Sequence, residues 1–180
     1  MNFQIEERKR GGIEMKRLVV ILTVLVLSLI LTQSVFAQAT ANMSVTLAVN
    51  TVYKITATAT VPNLTISDGT AGVDALTSAV DASTKYSITQ NFGNTVKITG
   101  YLSSAMPAGY TLTMNLASVK GTSAGTVDVS NATSGSAVNL VTAINRGADA
   151  NQTITYTFAT TASAGTLAST ARTVTLTLTN

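Results

Sequence analysis

Met43-Ser44-Val45-Thr46-Leu47-Ala48-Val49-Asn50-Thr51-Val52-Tyr53-Lys54-Ile55-Thr56-Ala57 is the stretch that decides the fold. Met43, Val45, Leu47 and Val49 alternate with Ser44, Thr46 and Ala48. After Asn50-Thr51 the alternation resumes, with Tyr53, Ile55, Ala57, Ala59 and Val61 facing away from Lys54, Thr56, Thr58 and Thr60. A period of two is the signature of a pleated strand with one apolar face. No charged residue occurs from Gln38 to Tyr53.

The same period recurs down the chain in Leu64/Ile66, Tyr86/Ile88, Val96/Ile98/Gly100/Leu102, Tyr110/Leu112/Met114/Leu116, Val127/Val129, Val138/Leu140, Ile154/Tyr156/Phe158 and Val174/Leu176/Leu178. Between these runs lie turn-forming clusters: Asp68-Gly69, Gly93-Asn94, Pro107-Ala108-Gly109, Gly121 to Gly125, Asn131 to Gly135, Arg146 to Asp149 and Ala164-Gly165. Eight to ten short strands so punctuated predict an all-β fold, a single antiparallel Ig-like β-sandwich over 52–180, preceded by an N-terminal strand over 38–51. Val73, Leu76 and Val80 have helical spacing, but their segment is short and Asp-rich, so Val73 to Ser83 reads as a loop with at most one helical turn.

Composition agrees. Residues 38–180 hold 30 Thr, 14 Ser and no Glu, and β-branched Thr suits the solvent side of a sheet while little is left to clothe exposed helices. Thirty-nine large apolar residues (Val, Ile, Leu, Met, Phe, Tyr) in these 143 positions suffice for one core. The whole chain has no Cys and no His, which excludes the usual zinc, haem and thiolate sites and the Cys or Ser-His nucleophiles. No metal or cofactor is expected. The formal charge of +3 is mostly a property of the first 37 residues, since residues 38–180 carry six Lys and Arg against five Asp. Nucleic acid is therefore not an expected partner, because it requires a clustered positive field on the folded domain.

The N-terminal segment has its own logic. Lys16 and Arg17 precede an apolar run from Leu18 to Leu31, then Thr32-Gln33-Ser34 leads to Val35-Phe36-Ala37. This order predicts a secretory signal peptide over 1–37, cut after Ala37 or alternatively after Ala39, with Met15 as an alternative start. The implied location is extracellular or at the cell surface, with membrane contact only during export. A retained anchor is the bland alternative, and the run is shorter than the ~20 residues a spanning helix needs. Lys9-Arg10-Gly11-Gly12 offers a rival prepilin-type site, but it would leave Lys16 and Arg17 inside a packing helix.

Other motifs carry little. Sequons at Asn42, Asn63, Asn131 and Asn151 occur about as often as composition alone predicts. Asp149 and Asn151 near Asp128 read as turn formers rather than calcium ligands, since no spaced Asp-rich loop is present. Without Glu, a paired-carboxylate hydrolase is the least supported class. The five Tyr read as packing groups rather than a sugar platform.

The two ends of residues 38–180 remain. Neither the stretch Ala41 to Val49 nor the run Thr173 to Asn180 contains Lys or Pro, the residues with which monomeric proteins usually blunt an exposed edge. Two unguarded edges invite head-to-tail addition, which propagates as an open filament when the rotation closes no ring. With its signal peptide, alternating N-terminal strand, Thr-rich sandwich and terminal Thr173-Val174-Thr175-Leu176-Thr177-Leu178-Thr179, the chain resembles the secreted fimbrial and spore-coat-protein-U-like subunits. The resemblance implies a non-enzymatic subunit of a filament, pilus or coat that polymerises by donating its N-terminal strand to a neighbour. Its partners would be copies of itself, with other envelope subunits or a chaperone in addition. It also implies that Met43, Val45, Leu47 and Val49 are donor side chains and that Val174, Leu176 and Leu178 belong to the accepting or closing edge. The chain departs from many such subunits in lacking a cysteine pair. The alternative is a secreted or envelope-bound adhesion module, with Gly121 to Gly125 and Arg146 to Asn151 as ligand-holding loops.

Overall fold

The structure, a computed structural model, describes residues 14–27, 39–58 and 61–180. The chain divides into two units, residues 1–47 and 48–180. In the first, residues 14–27 are helical, with Arg17 3.8 Å from Glu14 on the exposed surface. Among the described residues, no helix is long and apolar enough to cross a membrane. The cleavage motif Val35-Phe36-Ala37 lies outside the described residues, as do Ala59 and Thr60.

The second unit is all-β. Its strands are β1 (Tyr53–Ala57), β2 (Ala79–Asp81), β3 (Lys85–Gln90), β4 (Val96–Leu102), β5 (Tyr110–Leu116), β6 (Thr122–Ser123), β7 (Val127–Asp128), β8 (Val138–Ile144), β9 (Gly147–Thr160) and β10 (Val174–Thr179). One sheet runs β1-β3-β9-β5-β7, with β2 also paired to β9, and the other runs β10-β4-β8-β6. All pairings are antiparallel. The sheets pack face to face as a β-sandwich around Ile98, Met114, Leu116, Leu140, Val141, Ile144 and Ile154, each at most 1% exposed.

The alternation read from the sequence is what builds this core. Along β4 and β5 every second residue is buried and every other one half-exposed, so Val96, Ile98, Gly100 and Leu102 meet Tyr110, Leu112, Met114 and Leu116 from the opposite sheet. At Gly100 a Cβ would stand 2.5 Å from the Leu140 Cδ1, so the Leu140 side chain packs into the space glycine leaves open.

Four local expectations are corrected. Leu64 and Ile66, read as part of a strand, lie in none. Val73 to Ser83 is not loop throughout: Leu76 bridges Gly69, Ala75 bridges Thr161, and Ala79–Asp81 joins β9, so strand edges with unmet hydrogen bonds recruit the segment. The Gly121 to Gly125 turn contains β6, held against β8. Arg146 to Asp149 is not a complete turn, because β9 begins at Gly147, whose φ of 128° suits glycine, and runs fourteen residues.

Three register shifts shape the sandwich, and residues with positive φ mark two of them. Asn151, at φ 56°, lies between the pairs Tyr86↔Gln152 and Ile88↔Asp149, and its N–H is taken by Ser87 Oγ at 3.0 Å. Ala143, at φ 51°, lies between Val96↔Ile144 and Ile98↔Val141. The irregular register lets both Leu140 and Val141 enter the core. Asn tolerates the left-handed conformation, whereas Ala bears a Cβ penalty of about 1 kcal/mol there. Ala143→Gly is accordingly expected to raise unfolding stability by about 0.5–1 kcal/mol in denaturant titration; an unchanged or lowered midpoint contradicts strain at this bulge.

Candidate functional site

A two-sheet sandwich has four sheet edges, and here they are treated differently on the two flanks. On one flank the edges are β7 and β6, two residues each, joined by the turn through Gly125 at φ 74°. The chain itself crosses from sheet to sheet there. Beneath the corner, a side chain at Gly121 would lie 2.7 Å from the Thr142 carbonyl oxygen, so β6 is pressed onto β8.

The opposite flank is bounded by β1 and β10, each paired on one side only. Neither has a fully buried residue: Ile55 on β1 and Val174, Leu176 and Leu178 on β10 point toward the core yet stay half-exposed. Between the two strands lies a groove of about 160 Å³ lined by Ile55, Thr56, Ala57, Ile154, Tyr156, Val174 and Leu176. The lining carries no charge. Small-molecule cavities run to roughly 300–1,000 Å³, so this one matches side chains laid along a slot better than an organic ligand.

The residues expected at the accepting edge are thus placed in part. Val174 and Leu176 line the groove beside Ile55, Ile154 and Tyr156, while Leu178 pairs with Ile98 further along β10 and is not in the lining. Residues 39–52 form no strand in this single chain. Met43, Val45, Leu47 and Val49 are 90%, 74%, 86% and 88% exposed, an uncommon display of four large apolar groups in one alternating run. The walls contributed by β1 and β9 were not picked out from the sequence, because alternation gives a strand's inward face but not its neighbours.

At the start of β1 the chain is held by Asn91. Its Oδ1 accepts from Val52 N at 2.6 Å, its Nδ2 donates to Asn50 O at 2.9 Å, and its own backbone N–H reaches Val52 O at 3.2 Å. Buried Gln90 sets this arrangement, donating to Ile144 O and accepting from Phe92 N, and Phe92 packs on Tyr53 with ring centroids 5.5 Å apart.

Of the loops considered for ligand binding, the one from Arg146 to Asn151 turns its carboxylate inward. Asp149 is 2% exposed, and its Oδ2 accepts from Ser118 Oγ and from the N–H groups of Val119 and Lys120. Its role is to hold the loop after β5 against β9, where the ladder has run out; it is not an exposed turn former. Its Oδ1 is buried without a partner. Tyr86 donates to Ala117 O in the same corner at 2.6 Å. No group of three or more acidic, His or Cys residues placed to hold a metal occurs among the described residues. Compared with protein-family models, curated proteins and solved structures, the chain matches none.

Burial governs the buried phenols. It pushes Tyr86 up to about 12, the Ser118 hydroxyl opposing and the Asp149 carboxylate adding to the rise. Tyr156, in the groove wall, is also raised, first by burial and then by Asp81. Above pH 10.0, where an unperturbed phenol loses its proton, the unfolded chain binds fewer protons than the folded one, so stability falls as pH rises toward 12. Denaturant midpoints at about pH 9 and about pH 11 are expected to show this decline. A smaller decline in Tyr86→Phe supports the assignment, and an undiminished one contradicts it.

Proposed function

We propose that this chain is a structural, non-enzymatic subunit of an extracellular filament, pilus or coat. Residues 41–49 of a second copy add as a strand along the open sheet edge beside the groove of β1 and β10 and complete an Ig-like sandwich. The observation that carries this reading is the pairing of an uncharged apolar groove at two open sheet edges with an uncharged, exposed, alternating segment in the same sequence. Strand addition supplies main-chain hydrogen bonds, and pockets for alternate side chains supply specificity. Met43, Val45, Leu47 and Val49 are the inserted groups, each worth about 1.5–3 kcal/mol on full burial before ordering costs.

The segment is long enough. Nine residues reach about 30 Å at ~3.3 Å each, more than the five-residue β1 and six-residue β10 that bound the slot. Donor and acceptor are different segments of the sequence, so the contact is heterologous and propagates as an open filament when the rotation closes no ring. The corner of β6 and β7 leaves no comparable edge on the far flank, which makes the polymer unbranched. Export through the predicted signal peptide places assembly outside the cell.

Electron microscopy of the exported protein is expected to show unbranched fibres. Leu47→Asp and Leu176→Arg, one on each partner surface, are each expected to abolish them while leaving a folded subunit by circular dichroism. Wild-type protein that stays monomeric at high concentration, or fibres that persist in both variants, would contradict the proposal.

A further inference from the structure

We propose that Asn91 is a positioning residue that stops the N-terminal segment from filling the groove of its own chain, so that it is left for another. This inference rests on the strand-donation reading above. A chain carrying both slot and strand has an obvious competing state, in which residues 43–49 fold back beside β1 as a hairpin. Residues facing one another across an antiparallel pair share a face of the sheet. To put Val49 and Leu47 on the inward face with Tyr53 and Ile55, the connection must therefore contain an odd number of residues.

The shortest such connection is Asn50-Thr51-Val52, giving Val49 opposite Tyr53 and Leu47 opposite Ile55. Three-residue hairpin loops place their last residue in the left-handed region. Here that residue is Val52, whose β-branch makes the conformation an outlier. A five-residue loop, Ala48 to Val52, removes that strain but withdraws Val49 from the strand. Both routes meet the same obstacle: Val52 N and O and Asn50 O are all engaged by Asn91. The amide of Asn91 acts as one more rung of the β3 ladder and holds residues 50–52 in line with β1. Gln90, anchored on Ile144 O and Phe92 N, keeps that rung in place.

The test uses the full chain, expressed in a host that exports it, with hydrogen exchange read at the amides of residues 43–49 in the monomer fraction beside the rate of fibre growth. Asn91→Ala removes two side-chain hydrogen bonds and is expected to raise protection of these amides, and to slow fibre growth, each about tenfold. Val52→Gly, which leaves Asn91 in place and frees the loop conformation, is expected to act in the same direction and decides the matter if Asn91→Ala does not fold. Fibres growing at the wild-type rate in both variants, with residues 43–49 still unprotected in their monomers, overturn the inference. So does wild-type monomer whose residues 43–49 are already protected. A wild-type chain that forms no fibres and leaves 43–49 unprotected, while Asn91→Ala protects them, sinks the filament reading and upholds the role of Asn91.

Discussion

The unmet hydrogen bonds of two neighbouring sheet edges, β1 and β10, are the constraint on which the rest depends. Of the other strands among the described residues, β2, β6 and β7 are also paired on one side only, but each is no more than three residues long. On this flank Ile55, Val174 and Leu176 point inward without being covered. The single chain therefore leaves apolar surface and main-chain groups in water together, and one added extended strand, as proposed, would cover both. The opposite flank shows the alternative solution: the chain steps from sheet to sheet through Gly125, and no slot is left.

Buried polar groups tie down strand ends elsewhere in the sandwich. Gln90 ties the end of β3 to Ile144, and Asp149 substitutes for the missing ladder beyond Leu116 by collecting three donors from residues 118–120. These interactions fix strand ends rather than strand centres.

Much of the sandwich was legible in the sequence because one force, burial of alternate side chains, writes directly into residue order. Val96 to Leu102 and Tyr110 to Leu116 alternate in sequence as they do in burial. What alternation could not convey was pairing. Ile154 and Tyr156 read only as inward residues of a strand, and their place in the floor of the slot depends on which strands flank β9. Asp149 looked like a turn former because Asx residues usually are, and its burial depends on a loop thirty residues earlier in the chain. Ala79–Asp81 was hidden because two or three residues carry no period. The exposed apolar run Met43 to Val49 is the case in which local pattern and observed state part company: the residues have the signature of a strand, yet they form none in the single chain. Local and global preferences normally agree, and the proposed strand donation would restore that agreement.

The absence of cysteine from the chain allows a direct measurement of whose segment fills whose slot. Leu47→Cys in one preparation and Leu176→Cys in another, mixed and oxidised, place one thiol on each proposed partner surface. Strand donation between copies predicts a covalent heterodimer of the two singly substituted chains, lost when residues 41–49 are deleted from the first. Absence of that heterodimer, together with an intramolecular disulfide in the doubly substituted chain at high dilution, would contradict the account.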